Sequence, residues 1–216
     1  MRHRDAALTT KKLLSVAENL FDEKGYYPVT LKEIGVKAGC SSALVAYYFG
    51  SKQALYQAVI NQQLDQIHFL WNETESTDLS PLQKFSFFLK HLLKIQLDPA
   101  GHLNLAYKEI VSPSGLLDDT LWKRILSMGN YLKALLVEAG EAGELKPFED
   151  PRKLSYLAFT LESITETLFL VKDRSFPLNP DKRPLEEILE ELIDFALEPM
   201  KTGKNAKTQG RGDKQP

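Results

Sequence analysis

A chain of 216 residues with 43% hydrophobic content can bury one large core or two small ones. Its single cysteine, Cys40, excludes an internal disulfide; no run of eighteen apolar residues offers a membrane span, and MRHRDAALTTKK lacks the apolar centre of a signal peptide. The expectation is a soluble cytoplasmic protein without a membrane partner. The net charge of −2 hides a division: residues 1–56 carry eight Lys/Arg against five acids, net +3, the tail after Met200 carries net +4, and the stretch between carries −9. Basic ends around an acidic middle place a polyanion at one end of the molecule rather than over its whole surface.

The period is helical from the start. TTKKLLSVAENLFDEKG predicts a first helix over about 10–23, with Leu14, Ala17, Leu20 and Phe21 on one face, Thr9 or Thr10 as N-cap and Gly25 as the stop. Thr30 and Glu33 stand at capping-box spacing and open a short second helix that ends near Gly39. A third runs from Ser41 or Ser42 to about Phe49, and Ser51 caps a longer fourth that keeps Leu55, Val59, Ile60, Leu64, Ile67 and Trp71 within reach of a core. Ser80-Pro81-Leu82-Gln83 is another capping box, with proline at the first helical position, and Pro99 closes that fifth helix. Further helices are predicted over about 102–111, 116–139, 151–171 and 184–198. No segment alternates as a strand does, so the fold class is all-α with about nine helices. The tail 201–216 lacks apolar periodicity and reads as disordered; its Arg211-Gly212-Asp213 tripeptide is ascribed to chance.

Helices over about 10–23, 30–37 and 42–49 make a trihelical unit in which Gly39-Cys40-Ser41 turns the second helix into the third. Two short helices joined by a Gly-containing turn form a helix-turn-helix, whose second helix enters the DNA major groove. The run also matches a known pattern in order and spacing. Leu20-Phe21 to Gly25-Tyr26, Thr30-Leu31 to Ile34, Ala38-Gly39-Cys40-Ser41, Tyr47-Tyr48-Phe49 and Ser51-Lys52-Gln53 with Leu55 resemble the DNA-binding domain of the TetR/AcrR family over about a quarter of the chain. Gly35 departs from it where the family favours Ala, which weakens helix 2 on propensity, and Cys40 stands where Val is common. YKEIVSPSGLLDDTL further resembles the CecR-like branch.

The resemblance implies residue roles. Ser41 caps the recognition helix and donates to a phosphate, Ser42, Ala43 and Leu44 face the bases, Tyr47 holds a phosphate through its hydroxyl, and Thr30 and Lys52 are further phosphate contacts, with Arg2 or Arg4 reaching the minor groove. Leu44 remains open between packing inward and meeting a thymine methyl. Val45 and Phe49 form the inward i, i+4 face with Tyr48 beside them as core, and Cys40 is a structural thiol.

The resemblance also implies a division into a reading head over 1–52, a ligand-binding and dimerisation domain over 53–200 and a basic tail over 201–216. The helices near 151–171 and 184–198 would pair two copies, since YLAFTLESITETLFLV is apolar on more than one face. His91, His102, Tyr107, Glu109, Tyr156 and Glu162 are polar groups amid apolar sequence and are the candidate contacts to a small apolar or aromatic effector. The expected partners are thus a near-palindromic double-stranded DNA operator, a second copy and that effector. The histidines show no zinc-ligand spacing, and no phosphate-cradling loop or nucleophile elbow occurs, so neither catalysis nor a metal or cofactor is expected. The competing reading is a helical scaffold whose trihelical unit binds protein instead of DNA.

Overall fold

The first helix is longer than its cap residues suggest. The computed structural model describes residues 2–98, 103–148, 150–171 and 182–202, and its α1 spans Arg2–Lys24. No Pro or Gly interrupts RHRDAAL, so the helix continues through the threonines, and Thr10 Oγ1 donates to the Ala6 carbonyl (3.0 Å) inside the helix. Thr9 and Thr10 therefore do not cap it. The buried stripe is Leu13, Ala17, Leu20 and Phe21, with Leu14 only half-buried. The chain continues through α2 (Leu31–Ala38), α3 (Ser42–Phe49), α4 (Lys52–Glu75), α5 (Pro81–Leu97), α6 (Asn104–Val111), α7 (Asp119–Glu141), α8 (Pro151–Val171) and α9 (Leu185–Leu197). Among the described residues these nine helices, a 3-10 turn at Glu198–Met200 and one antiparallel bridge, Leu145 to Lys201, are the regular structure. The all-α expectation holds.

Two compact units emerge: residues 1–69 with 98–126, and 70–97 with 127–216. In the first, α1 packs on α2 and α6, and α2 packs on α3. Ile34, Ala38 and Val45, with Leu20, Phe21 and Leu55, are the buried small core; each of the larger side chains contributes about 2 kcal/mol by leaving water. Polar ties hold α6 in the same unit. Tyr56 donates to Glu109 Oε1 (2.7 Å), and the other Glu109 oxygen accepts the Ser114 amide (3.0 Å). Gln63 bridges two helices at once, donating to Glu18 (2.7 Å) and accepting the Ala106 amide (2.9 Å), while Lys108 pairs with Asp22 (2.7 Å). The segment after α6 stays out of α7, which starts at Asp119 rather than 116. Asp118 caps it by accepting the Leu121 amide, and the Leu116 carbonyl instead receives Gln53 (2.8 Å) and Gln57 (2.6 Å) from α4.

In the second unit α5 packs on α8 and α9, and these two pack on each other. Phe85, Phe88, Leu89, Leu92 and Leu93 of α5 meet Leu154, Ala158 and Leu161 of α8 and Ile188, Leu189 and Ile193 of α9 as the buried apolar faces. Trp71 stacks on Tyr131 with ring centroids 4.3 Å apart, and Phe88 meets the same tyrosine edge-on at 5.2 Å. No described helix is long and apolar enough to cross a membrane.

Candidate nucleic-acid interface

The helix-turn-helix is built by its caps. Thr30 Oγ1 accepts the Glu33 amide (3.1 Å) and starts α2. The carboxylate of Glu33 meets Lys24 (2.6 Å), which pairs the end of α1 with the start of α2 and holds Glu33 below its usual range. At the other end Gly39 turns left-handed (φ 73°), and the Cys40 amide closes onto the Gly35 carbonyl (2.8 Å). Ser41 Oγ then accepts the Leu44 amide (3.2 Å) and launches α3, leaving its hydroxyl proton to donate outward.

Gly35 proves to be a requirement of this turn. A Cβ there would lie 2.8 Å from the Cys40 backbone oxygen and 3.1 Å from Ser41 C and Ser42 N. The expected weakness of a helical glycine is real on propensity, but the close approach of the turn is what the missing Cβ permits.

α3 presents two faces. Val45 is fully buried, and Tyr48 and Phe49 are half-buried. Ser41, Ser42, Ala43 and Tyr47 are exposed, Tyr47 by 81%, and Leu44 is 36% exposed, so its side chain stands on the outer edge rather than in the core. Every residue of SALVAYYF is uncharged, and none carries an amide side chain. The expected base-facing and phosphate-facing side chains of this segment, with Thr30 exposed beside them, are all open to a partner.

Lys52 is placed differently from the expectation. Its ammonium donates to the carbonyls of Tyr26 (3.0 Å), Tyr27 (3.1 Å) and Val29 (2.9 Å) and lies 4.1 Å from the centre of the Tyr26 ring. An ammonium has three donors, and all three are engaged with the loop after α1. Lys52 therefore ties α4 to that loop through all three of its donors. A cation that sequence reasoning passed over stands beside the turn. Lys12 is exposed on α1, and its Nζ lies 3.8 Å from where a Cβ on Gly39 would sit. No local spacing marks it; only the basic excess of the first 56 residues does. The Arg2 and Arg4 side chains lie outside the described residues.

The candidate effector contacts divide between the units. Tyr107 and Glu109 belong to the first, where Glu109 is buried and both its oxygens are taken by Tyr56 and Ser114, a structural use. Burial, then this carboxylate, raises the Tyr56 hydroxyl far above its ordinary value. His91, Tyr156 and Glu162 belong to the second unit. His91 is half-buried, its Nδ1 2.8 Å from the Phe87 carbonyl and its ring on that of Phe87 (3.9 Å). Tyr156 is 66% exposed on the outside of α8 and so is not an interior contact of this unit. Glu162 is buried, and burial lifts its carboxyl to about 7. His102 and residues 203–216 lie outside the described residues. Among the described residues no cluster of His, Cys, Asp or Glu is arranged to hold a metal.

The family model for bacterial regulatory proteins of the tetR family matches residues 13–59, from the second half of α1 to the first turns of α4. The HTH-type transcriptional regulator RutR of Escherichia coli (strain K12) is 30% identical over 156 residues, covering 72% of this chain and 73% of RutR. Among solved structures, AibR in complex with isovaleryl coenzyme A and operator DNA superposes with a TM-score of 0.66 at 18% identity over 88% of this chain and 98% of that one. A gamma-butyrolactone receptor (ArpA-like protein) superposes with a TM-score of 0.66 at 17% identity, covering 88% and 99%.

Proposed function

The chain belongs to the tetR family of bacterial regulatory proteins; from that premise we propose that it is a cytoplasmic, homodimeric, ligand-responsive repressor that binds DNA. A near-palindromic operator holds it, and a small molecule bound in its C-terminal region releases it. Reading is assigned to 1–52, sensing and pairing to 53–200, and no part to the basic tail 201–216. The reading has no catalytic step and calls for no cofactor.

The observation that carries it is the outer face of α3 with its flanks: Thr30, Ser41, Ser42, Ala43, Leu44 and Tyr47 exposed together, while Val45 anchors the helix from behind. Hydroxyls at Thr30, Ser41 and Tyr47 suit phosphate oxygens and fix register, and Ser42, Ala43 and Leu44 suit base edges. Lys12 joins the phosphate contacts in place of Lys52. Dimerisation is supported by the large apolar groups that the two C-terminal helices leave in solvent, Tyr156 and Phe159 on α8 and Phe195, 81% exposed, on α9. A two-fold dimer would read half-sites roughly 34–36 Å apart or at multiples of that. Release follows if effector and operator favour different spacings of the two reading heads, and the coupling is then reciprocal. The ties from α6 to α1 and α4 give such a change a route into the reading unit.

The experiment is operator selection from genomic fragments, followed by affinity measurements from about 50 to 200 mM salt. Tyr47→Phe is expected to weaken binding several-fold with unchanged melting temperature. Lys12→Ala should reduce the slope of log affinity against log salt by about 1, as loss of one phosphate contact does. Lys52→Met should lower the melting temperature and leave the slope intact. Salt-independent binding, or no selected fragment at all, favours the scaffold reading instead.

A further inference from the structure

Three polar side chains in the second unit stand out because they are buried together. Glu162 and Glu166 lie one turn apart on the same face of α8, exposed by only 7% and 6%, and Gln96 of α5 is 2% exposed. Gln96 Nε2 donates to Glu166 Oε1, which puts its amide head in the cluster, yet Gln96 Oε1 is buried without any hydrogen-bond partner. No ion pair among the described residues involves either carboxylate. Thr165, between them, turns its hydroxyl to the Glu162 backbone carbonyl and not to a carboxylate. Opposite Glu162, α7 carries Gly129, where even an added Cβ would stay 3.7 Å from Glu162 Oε2.

Among the described residues the surroundings offer no compensating charge. The buried faces that α5 and α9 turn to α8 are apolar apart from Gln96; His91 points to the Phe87 carbonyl, Lys90 is taken by Glu190, and the Tyr131 hydroxyl of α7 goes to Glu75. A buried acceptor without a donor costs free energy, and so do two like carboxyls withdrawn from water. Burial holds both acids toward the neutral form, Glu162 near 7 and Glu166 near 8, the latter pushed further by its neighbour. An arrangement this costly to stability is a candidate site for a ligand that completes it.

We propose that Glu162, Glu166 and Gln96 receive a small organic cation bearing several N–H donors, of the amidine or guanidine class, and that this cation is the effector. The proposal rests on the ligand-responsive repressor reading and specifies the ligand's polar end. Each N–H would find an acceptor, the cation would stabilise the ionised carboxylates, and Gln96 Oε1 would gain its missing donor. An anion would meet like charge here, and a purely apolar molecule would leave Gln96 Oε1 unsatisfied.

The test uses the full-length protein, with benzamidinium and methylguanidinium as cationic probes and benzoate and benzamide as anionic and neutral isosteres of the first. Calorimetry and thermal unfolding at pH 7.5 are expected to show saturable binding of a cationic probe and no response to benzoate. Glu162→Gln and Glu166→Gln should each weaken that binding at least tenfold while far-UV circular dichroism and melting temperature are kept or improved. Silence toward both cations, equal binding of benzoate or benzamide, or undiminished binding to the Glu162→Gln/Glu166→Gln double variant overturns the proposal. Operator affinity separates the two readings. If the cation binds and releases DNA, both stand; if it binds and leaves DNA affinity unchanged, the effector role falls and the site stands. If no cation binds while the operator is still held in a salt-dependent way, the proposal falls and the repressor reading is untouched.

Discussion

Gly35 shows how one absent methyl group shapes the reading surface. Its replacement by Ala gains up to about 1 kcal/mol of helix propensity. The new Cβ, however, meets the Cys40 oxygen at 2.8 Å, and that oxygen is backbone inside the turn. Forcing a methyl into a closed contact costs about 1–3 kcal/mol, so Gly35→Ala is expected to lower stability, read as a lower urea midpoint at unchanged m-value. It should also weaken operator binding by displacing Ser41 and Ser42. A midpoint that rises would mean that propensity decides and the turn yields. At this scale the sequence was informative about residue type and poor about partners. The outward set Ser41, Ser42, Ala43 and Tyr47 was legible through the resemblance to a known motif, which assigns each of these positions a role. Lys52 was not, since its three acceptors come from a loop some twenty-five residues earlier and no spacing encodes them.

Among the elements, α6 depends most on tertiary ties. It spans eight residues, too few to hold a helix alone, and its N-cap Leu103 supplies no side-chain hydrogen bond. The Tyr56 to Glu109 bond and the Gln63 to Ala106 bond do that work from α4. Tyr56→Phe keeps the ring packing, edge-on to Phe21 at 5.1 Å, and deletes only the donor to a buried carboxylate. The expected loss is about 1–3 kcal/mol in denaturant unfolding, with faster hydrogen exchange in α6 than in α5. Equal exchange in both helices would show that the tie is dispensable. Helix existence was legible throughout, because a 3.6-residue period and Pro or capping signals mark each one. Their ends were less so: α1 ran eight residues further toward the N-terminus than the threonines suggested, from Arg2 instead of about 10, as polar caps compete with simple helix continuation where nothing breaks the chain.

For the whole molecule, the two buried acids predict how stability follows pH. Their carboxyls titrate near 7 and 8 in the folded protein, against about 4.3 in the unfolded chain. Between those limits the native state keeps protons that the unfolded state has released, so stability falls as pH rises from about 5 to 8 and levels off above. The melting temperature of wild type relative to the Glu162→Gln/Glu166→Gln variant should drop across that window; parallel curves would sink the expectation. The acidic middle of the sequence hinted at such groups, but burial of two of its acids depends on how α5, α8 and α9 close on one another. That is why Glu162 was found only as a polar residue in an apolar run, and why Glu166 and Gln96 were missed.

The uncharged reading helix limits how much information one protomer can extract. Bidentate pairing with guanine needs Arg or Lys, and with adenine Asn or Gln, and SALVAYYF has none of them. On the proposed reading, what remains is a single hydroxyl bond from Ser42 and methyl contacts from Ala43 and Leu44, which would favour thymine steps and specify few positions per half-site. Such a reader is permissive one half-site at a time and selective only when two half-sites must fit at a fixed spacing. Insertions that change the spacer should therefore damage recognition more than most single base changes within a half-site.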